Sequence, residues 1–339
     1  MRIFAYMRKL ATIRRIESLH PIKKADRIEL AKVGGWRSVV KKGEFNVGDM
    51  VVYCEIDSLL PVKEEFEFLR KSCFRELPYG VSGFRLRTMK LRGQISQGLI
   101  LPLSVLSSGD FKIGEDVTEQ LQIIKYDPPI PKEMMESAIG VFPSFIKKTE
   151  EERIQNLDSE IELLKGRTFF VTEKLNGLSM TVFHNANEFG VCGRNYQYKK
   201  LESNALWSSA IEEGLEEKLK AYGKNIAIQG ELVGPGISDN PYELVTKEYR
   251  VYNIFNIDEY AYLSKKDCQE LATQMSLKLV PLVSASMALP ESVDAILEMA
   301  DGPSQLNPET QKEGDVWVSG DGQDRVSFKV ISNHFLLEE

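Results

Sequence analysis

The sequence predicts an α+β protein: a small antiparallel β-barrel followed by a larger domain of antiparallel sheets flanked by helices. Three observations predict it. Glycines fall at roughly regular intervals between short, partly alternating runs through residues 1–125, the habit of a small barrel. Asp127-Pro-Pro-Ile-Pro131 then breaks the chain, because such a run continues neither a helix nor a central strand. Beyond it, strand-like clusters are separated by helix-like segments without regular βαβ alternation, which favours antiparallel sheets. The division expected is 1–127 for the barrel, 128–148 for a linker and lead-in, and 149–339 for the second domain.

In chain order, Ala11 to Glu17 and Glu29 to Val33 alternate in part and read as strands, with turns at Gly34-Gly35, Gly43, Gly48-Asp49, Gly80, Gly83, Gly93, Gly98 and Gly109-Asp110. Met50 to Ile56 and Gly98 to Pro102 are the apolar runs expected of buried strands. Next, Thr149-x-x-Glu152 forms a capping box, and Ile154, Leu157, Ile161 and Leu164 recur on one face until Gly166, so a helix is expected there. Strands are expected over residues 168–173, 178–184, 226–233, 250–258, 315–319 and 325–331, and helices over 203–222, 264–275 and 291–300. Asn176-Gly177 between the first two of these strands is the strongest short hairpin signal, which places Lys174 beside a tight turn.

Composition narrows the function classes. The 339 residues are 42% hydrophobic and 27% charged, which excludes disordered, collagenous and membrane-embedded chains. The longest nearly apolar stretch, Gly98 to Leu106, is about half a bilayer span. The first residues, Met1 to Arg8, hold no long apolar block or small-residue cleavage site, so a cytoplasmic or nuclear rather than secreted protein is expected. Cys54, Cys73, Cys192 and Cys268 lie far apart without a C-x-x-C pair, so neither a zinc site nor a disulfide framework is indicated. The net charge of -7 is unevenly spread. Residues 1–145 hold 23 Lys and Arg against 18 Asp and Glu, whereas the remainder holds 20 against 32. A basic front end on an acidic chain suggests a polyanion gripped by one part while another does the chemistry.

The residues restrict that chemistry. Only His20, His184 and His334 are present, which supplies a Ser-His-Asp or Cys-His site poorly. Neither G-x-x-x-x-G-K-[ST] nor G-x-G-x-x-G occurs, so a P-loop or Rossmann turn is excluded. The second domain offers Glu173-Lys174-Leu-Asn176-Gly177 instead. A lysine forms a covalent intermediate only when neutral, so a nucleophilic Lys174 demands nearby cations or a metal, and carboxylates to hold the metal. Arg194 in Gly193-Arg-Asn, Glu231 at a strand end, Phe255 as an aromatic able to cover a flat base, Glu313 at a strand entrance and Lys329 near the end are the candidates. Ser327 and Lys329 fall on one face of their strand by period-two alternation.

Taken in order, the lysine motif, the Gly-Arg, the Gly-Glu strand, the aromatic strand, Glu-Gly before a strand and the final strand lysine resemble the successive motifs of the covalent nucleotidyltransferases, the ATP-dependent DNA and RNA ligases and the mRNA capping enzymes. The resemblance runs from about Thr172 to Lys329. Only ten residues follow Lys329, which leaves no room there for an OB domain, so the basic barrel must come first. The chain therefore looks like an RNA ligase of the branch with an N-terminal OB-type barrel, called the RNA ligase 5 family. Gly34-Gly-Trp-Arg37, Gly98-Leu-Ile-Leu-Pro102 and Arg325 to Asn333 add to the likeness.

That resemblance implies an OB-like barrel, a nucleotidyltransferase domain, and roles by motif position. Lys174 would attack the ATP α-phosphate, and Glu173 would receive the adenine amino group. Asn176, Gly177, Val316 and Ser327 would line the nucleotide site. Arg194 would contact the ribose or the incoming 5′-phosphate, and Phe255 would stack on adenine. Glu231 would bind sugar or metal waters, and Glu313 would orient a hydrated Mg²⁺ or Mn²⁺. Lys329 would hold the α-phosphate. Many relatives carry a lysine where Ser327 stands, and Asn176 replaces a more usual Asp or His, so the phosphate clamp rests on Lys329 with Arg325 as the nearest substitute. The implied substrate is nicked or broken RNA with a ribose 3′-OH and a 5′-phosphate, sealed by a monomer through lysyl-AMP and an AMP-capped 5′ end. The barrel would grip the backbone through Arg8, Lys9, Arg14, Arg15, Arg37, Lys41, Lys42, Arg85, Arg87, Lys90 and Arg92, with Trp36 or Phe84 stacking on a base. The readings it displaces are a non-catalytic RNA- or tRNA-binding protein with a degenerate nucleotide domain, and an ATP-dependent DNA ligase.

Overall fold

A computed structural model of the chain describes residues 8–107, 109–130, 132–320 and 324–338. The start of the chain, Met1 to Met7, and Pro131 of the proline-rich break lie outside the described residues. The fold is α+β and divides into two units. One comprises residues 1–129, 154–162 and 336–339, the other 130–153 and 163–335.

The first unit is the antiparallel barrel. Met50–Cys54 is wholly buried after its first residue and lies between Ala11–Arg15 and Leu99–Pro102, antiparallel to both. Ser18–Pro21, Ile28–Val33 and Trp36–Lys41 form a meander whose last two strands are joined by the Gly34-Gly35 turn. A third sheet joins Ser58–Leu60 to Ser82–Arg85, Ile124–Lys125 and Phe74–Glu76. Ile13, Val52, Leu60, Phe66, Phe84, Leu101 and Ile123 form its core.

The expected helix from Thr149 to Gly166 is not formed. Glu152–Arg153 instead pairs in parallel with Phe328 and Lys329, Ile154–Glu160 is a kinked 3₁₀ segment, and only Ile161–Leu164 is α-helical. The apolar spacing serves another purpose. Residues 154–162 group with the barrel, where Asn156 accepts a hydrogen bond from Trp36 Nε1 at 2.7 Å and donates to Glu55 at 2.6 Å. A Cβ on Gly35 would stand 2.7 Å from the Gln155 backbone, so the close approach requires glycine.

The second unit holds two sheets. The larger runs Ala138–Val141, Tyr196–Tyr198, Glu188–Cys192, Leu178–Asn185, Ile226–Val233, Glu248–Asn256, Ala261–Tyr262, with Lys278–Leu279 parallel to the long Glu248–Asn256 strand. The smaller runs Glu152–Arg153, Val326–Ile331, Gly314–Ser319, Thr168–Lys174, Leu282–Ala288. Helices Ala205–Glu212, Leu215–Tyr222 and Lys265–Gln274 cover one face of the larger sheet, burying Met180, Ile228, Tyr249 and Ile254 with Leu206, Leu219 and Leu271.

The Asn-Gly turn is not a hairpin. Thr168–Lys174 pairs with Gly314–Ser319 and Leu282–Ala288, whereas Leu178–Asn185 pairs with Glu188–Cys192 and Ile226–Val233. Neither Asn176 nor Gly177 has the positive φ that a type I′ turn needs. The three residues after Lys174 carry the chain from one sheet to the other.

Candidate active site

That crossing builds the site. Side chains alternate along Thr168–Lys174, so Phe169, Val171 and Glu173 face the core of Trp317 and Phe328, and Phe170, Thr172 and Lys174 face the other way. Lys174 stands opposite Gly314, and Glu313, just before that strand, meets its amine with Nζ–Oε1 at 2.6 Å. Val316 pairs with Lys329 and Val318 with Ser327, so Lys174, Val316, Ser327 and Lys329 share one face.

The larger sheet contributes Glu231, paired with Ser179. It is half-buried at that position of the strand. Burial pushes its carboxyl group up to about 7 and the Glu313 charge adds to this, while Lys174, Arg194 and the Gly177 N–H pull it back. Gly177 has no substitute, because a Cβ would stand 2.5 Å from the Leu232 carbonyl oxygen and 2.8 Å from Glu231 Cγ. Lys174, Glu231, Glu313, Arg194 and Gly177 thus interact as one group.

Residues absent from the sequence reading hold that group in place. Leu175 packs with Val233, Tyr242 and Val280, and the Asn176 backbone N–H donates to the Tyr242 hydroxyl at 2.6 Å. Burial, then the charges of Glu313, Glu173 and Glu231, raise the Tyr242 phenol far above its usual range. Tyr242 belongs to a strained loop in which Ser238, Asp239, Asn240 and Glu243 adopt φ of 46°, 58°, 49° and 52°. Such strain persists only where surroundings over-determine it. Here the Asn240 side chain bonds both backbone groups of Leu244, and the Pro241 carbonyl accepts from Thr310 Oγ1 at 2.7 Å and Asn307 Nδ2 at 3.2 Å. The signal in the sequence was the cluster Gly234-Pro-Gly236 and Asp239-Asn-Pro241 straight after the Glu231 strand. Lys265 gave no signal. Its Nζ donates to the Tyr252 carbonyl and to Asn253 Oδ1, both at 2.9 Å, and burial lowers its ammonium to about 8.

Among the described residues no group of three or more His, Cys, Asp or Glu side chains could cage a metal. Two carboxylates, Glu231 and Glu313, beside an amine suit a hydrated hard cation that takes its remaining ligands from water and phosphate.

An OB-fold domain model matches residues 10–103, and the RNA ligase family model matches residues 167–331. An apo mutant of Naegleria gruberi RNA ligase is 40% identical, with a TM-score of 0.91 over 98% of this chain and 99% of that one. This chain belongs to the RNA ligase family. A mutant of the N. gruberi RNA ligase with ATP and Mn is 40% identical at a TM-score of 0.90, covering 98% of this chain and 99% of that one. The same ligase with PPi is 41% identical at 0.89, covering 97% of this chain and 98% of that one. No curated protein matches.

Several positions read from this RNA ligase's sequence differ in the fold. Glu173 faces away from Lys174, and its carboxylate accepts from Ser304 Oγ and, at 2.8 Å, from the Gln305 N–H. These two bonds tie its carboxylate to that turn, on the opposite face from Lys174. Phe255 is fully buried among Ile146, Phe183, Cys192 and Ala227, with Tyr260 and Tyr262 edge-on to its ring, so no stacking face is exposed. Ser327 Oγ accepts from Arg325 Nη1 at 2.6 Å; that guanidinium lies 4.6 Å above the Tyr262 ring and 3.5 Å from Glu151. Ser327 and Arg325 therefore act as a pair.

In the ligase's barrel, Trp36 and Phe84 are fully buried and cannot stack on a base. Arg8 pairs with Glu55 at 2.8 Å and Asp57 at 3.7 Å. Arg85 is half-buried over the Tyr126 ring at 4.2 Å, and Arg14 Nε bonds Thr12 Oγ1 at 3.0 Å. Lys9, Arg15, Arg37, Lys41, Lys42, Arg87, Lys90 and Arg92 are exposed. Arg37 and Lys41 share the outer face of their strand, with Lys32 opposite Arg37.

Proposed function

We propose that this RNA ligase is ATP-dependent and seals nicked or broken duplex RNA between a ribose 3′-OH and a 5′-phosphate, acting as a monomer through a lysyl-AMP intermediate. The observation that carries the reading is the Lys174 amine held 2.6 Å from Glu313, with the half-buried carboxyl of Glu231 interacting with both. Relatives at 40–41% identity bound to ATP and Mn, AMP and Mn, and PPi support it.

Lys174 Nζ, once neutral, attacks the ATP α-phosphorus. The N–P bond forms as the bond to the bridging oxygen breaks, and pyrophosphate leaves with the electron pair. Glu313 aims the amine and lies within reach of the proton it sheds. Gly177 and the Tyr242–Asn176 bond fix the backbone behind the nucleophile, so its approach is set before nucleotide arrives. Lys329, sharing the face of Lys174, holds the α-phosphate, and Val316 lies beside it for the nucleotide. Glu231 and Glu313 would hold Mg²⁺ or Mn²⁺, whose charge favours loss of the lysine proton and offsets charge on the leaving phosphates. AMP then passes to the RNA 5′-phosphate near Arg194, and the 3′-OH displaces it.

Rates of sealing on matched nicked duplexes test the substrate class. A ribose at the 3′-OH side is expected to be joined far faster than a deoxyribose. Equal rates would point to a DNA ligase instead.

A further inference from the structure

Residues 142–148 and 193–200 of the second unit contain five cations, Lys147, Lys148, Arg194, Lys199 and Lys200, and no acid, within a chain region that is otherwise strongly acidic. One of them, Lys148, lines an open pocket of about 380 Å³ where the 142–146 segment meets Asn195 and Tyr196. That volume falls within the roughly 300–1,000 Å³ of small-molecule sites. Phe142 and Tyr196 supply aromatic walls, and Val141 and Ile146 supply apolar surface. Lys148 reaches in, its Nζ bonded to Asn195 Oδ1 at 2.7 Å and 5.9 Å from the Phe142 ring centroid. Val141, at 76% exposed, and Ile139, at 58%, leave the apolar lip of the edge strand Ala138–Val141 open to solvent.

We propose that this pocket takes a nucleobase of the RNA strand, from the nucleotide carrying the 5′-phosphate at the break, extruded from its pair and stack at the nick. The inference rests on the RNA-sealing reading and adds to it a place where the strand docks. Aromatic walls with flanking cations are how proteins hold single bases while the backbone runs over positive charge. Arg194, expected at the ribose or at the incoming 5′-phosphate, is the neighbour of Asn195; with the 5′-phosphate at Arg194, a base beside Asn195 belongs to the same nucleotide. The Tyr196–Tyr198 strand lies two strands from Leu178–Asn185 and three from Ile226–Val233. At about 4.8 Å per strand the cavity is roughly 10–14 Å across the sheet from the Ser179–Glu231 pair. The adenylate on Lys174 and this base can therefore be present together.

Two measurements on the full chain test the proposal. Val141→Asp puts a carboxylate on an exposed lip, where the fold tolerates it. Lysine labelling by ATP is expected to be unchanged, while binding of a nicked duplex already carrying the AMP-capped 5′ end weakens about tenfold or more. Loss of labelling and binding in equal proportion would mean that the cavity holds the adenine of ATP, and unchanged binding would mean that it holds no base; either overturns the proposal. Independently of any variant's stability, 5-iodouridine at the 5′-phosphate nucleotide of the nick should cross-link the wild-type protein at Phe142 or Tyr196. Cross-links confined to other peptides would also overturn it. Failure on these counts with normal labelling and sealing leaves the ligase reading intact.

Discussion

Tyr242 does for Lys174 what no residue of the lysine motif can do for itself. Its hydroxyl accepts the Asn176 N–H and its ring packs on Leu175, so Lys174 sits on a backbone that is already ordered before any ligand arrives. Tyr242→Phe leaves that N–H without its partner, at a cost of about 1–3 kcal/mol. Lysine adenylylation is expected to slow by roughly five- to hundredfold, with ATP binding changed less; an unchanged single-turnover rate would remove Tyr242 from this role. Lys265 makes a separate prediction. Its ammonium is lowered to about 8 by burial, so between that value and its unfolded pKa the unfolded chain binds more protons and stability rises with pH. Against Lys265→Met, wild type should gain up to roughly 3 kcal/mol between pH 7 and pH 10.5, measured as unfolding free energy. A constant gap would show that the amine titrates normally.

At the scale of elements, the crossing from the Thr168–Lys174 strand to the Leu178–Asn185 strand sets the geometry, and Gly177 is its tightest point. Gly177→Ala should either shift the Glu231 strand or lower the folded yield, and in both cases abolish labelling; normal labelling would contradict the crossing. Most strands of this domain were legible because they alternate or run apolar, and Ile226–Val233 agrees with its expected limits. The hairpin was misread because Asn-Gly reports local turn preference, whereas pairing is settled by which sheet buries each strand. The helix over 149–166 was misread for a related reason: its apolar spacing meets the barrel, and Glu152–Arg153 is drawn into the smaller sheet. Within the site, motif order brought Lys174, Glu231 and Glu313 to attention, and the fold places these three groups within interaction range of one another. Tyr242 and Ser304 were not legible, since their roles are bonds across 66 and 131 positions that no local pattern encodes. Phe255 on an apolar strand reads first as a core aromatic, and the fold buries it against Ile146 and Tyr262.

Across the whole molecule, charge is segregated: the basic balance lies in residues 1–145 and the acidic balance in the rest. Arg37, Lys41 and Lys42 are exposed in the barrel, so phosphate contact there should make duplex binding salt-dependent. Replacing all three by Gln should reduce the slope of log affinity against log salt by about 0.9 for each cation that touches a phosphate, while lysine labelling proceeds normally. An unaltered slope would assign the grip elsewhere. Sealing by the proposed route requires the Lys174 amine to reach the α-phosphorus of ATP. Intact and peptide mass spectrometry after incubation with ATP and Mg²⁺ tests this most directly. A covalent addition of roughly 329 Da on Lys174, lost in Lys174→Ala, is the predicted result; no addition, or the same addition in the Lys174→Ala protein, would contradict it.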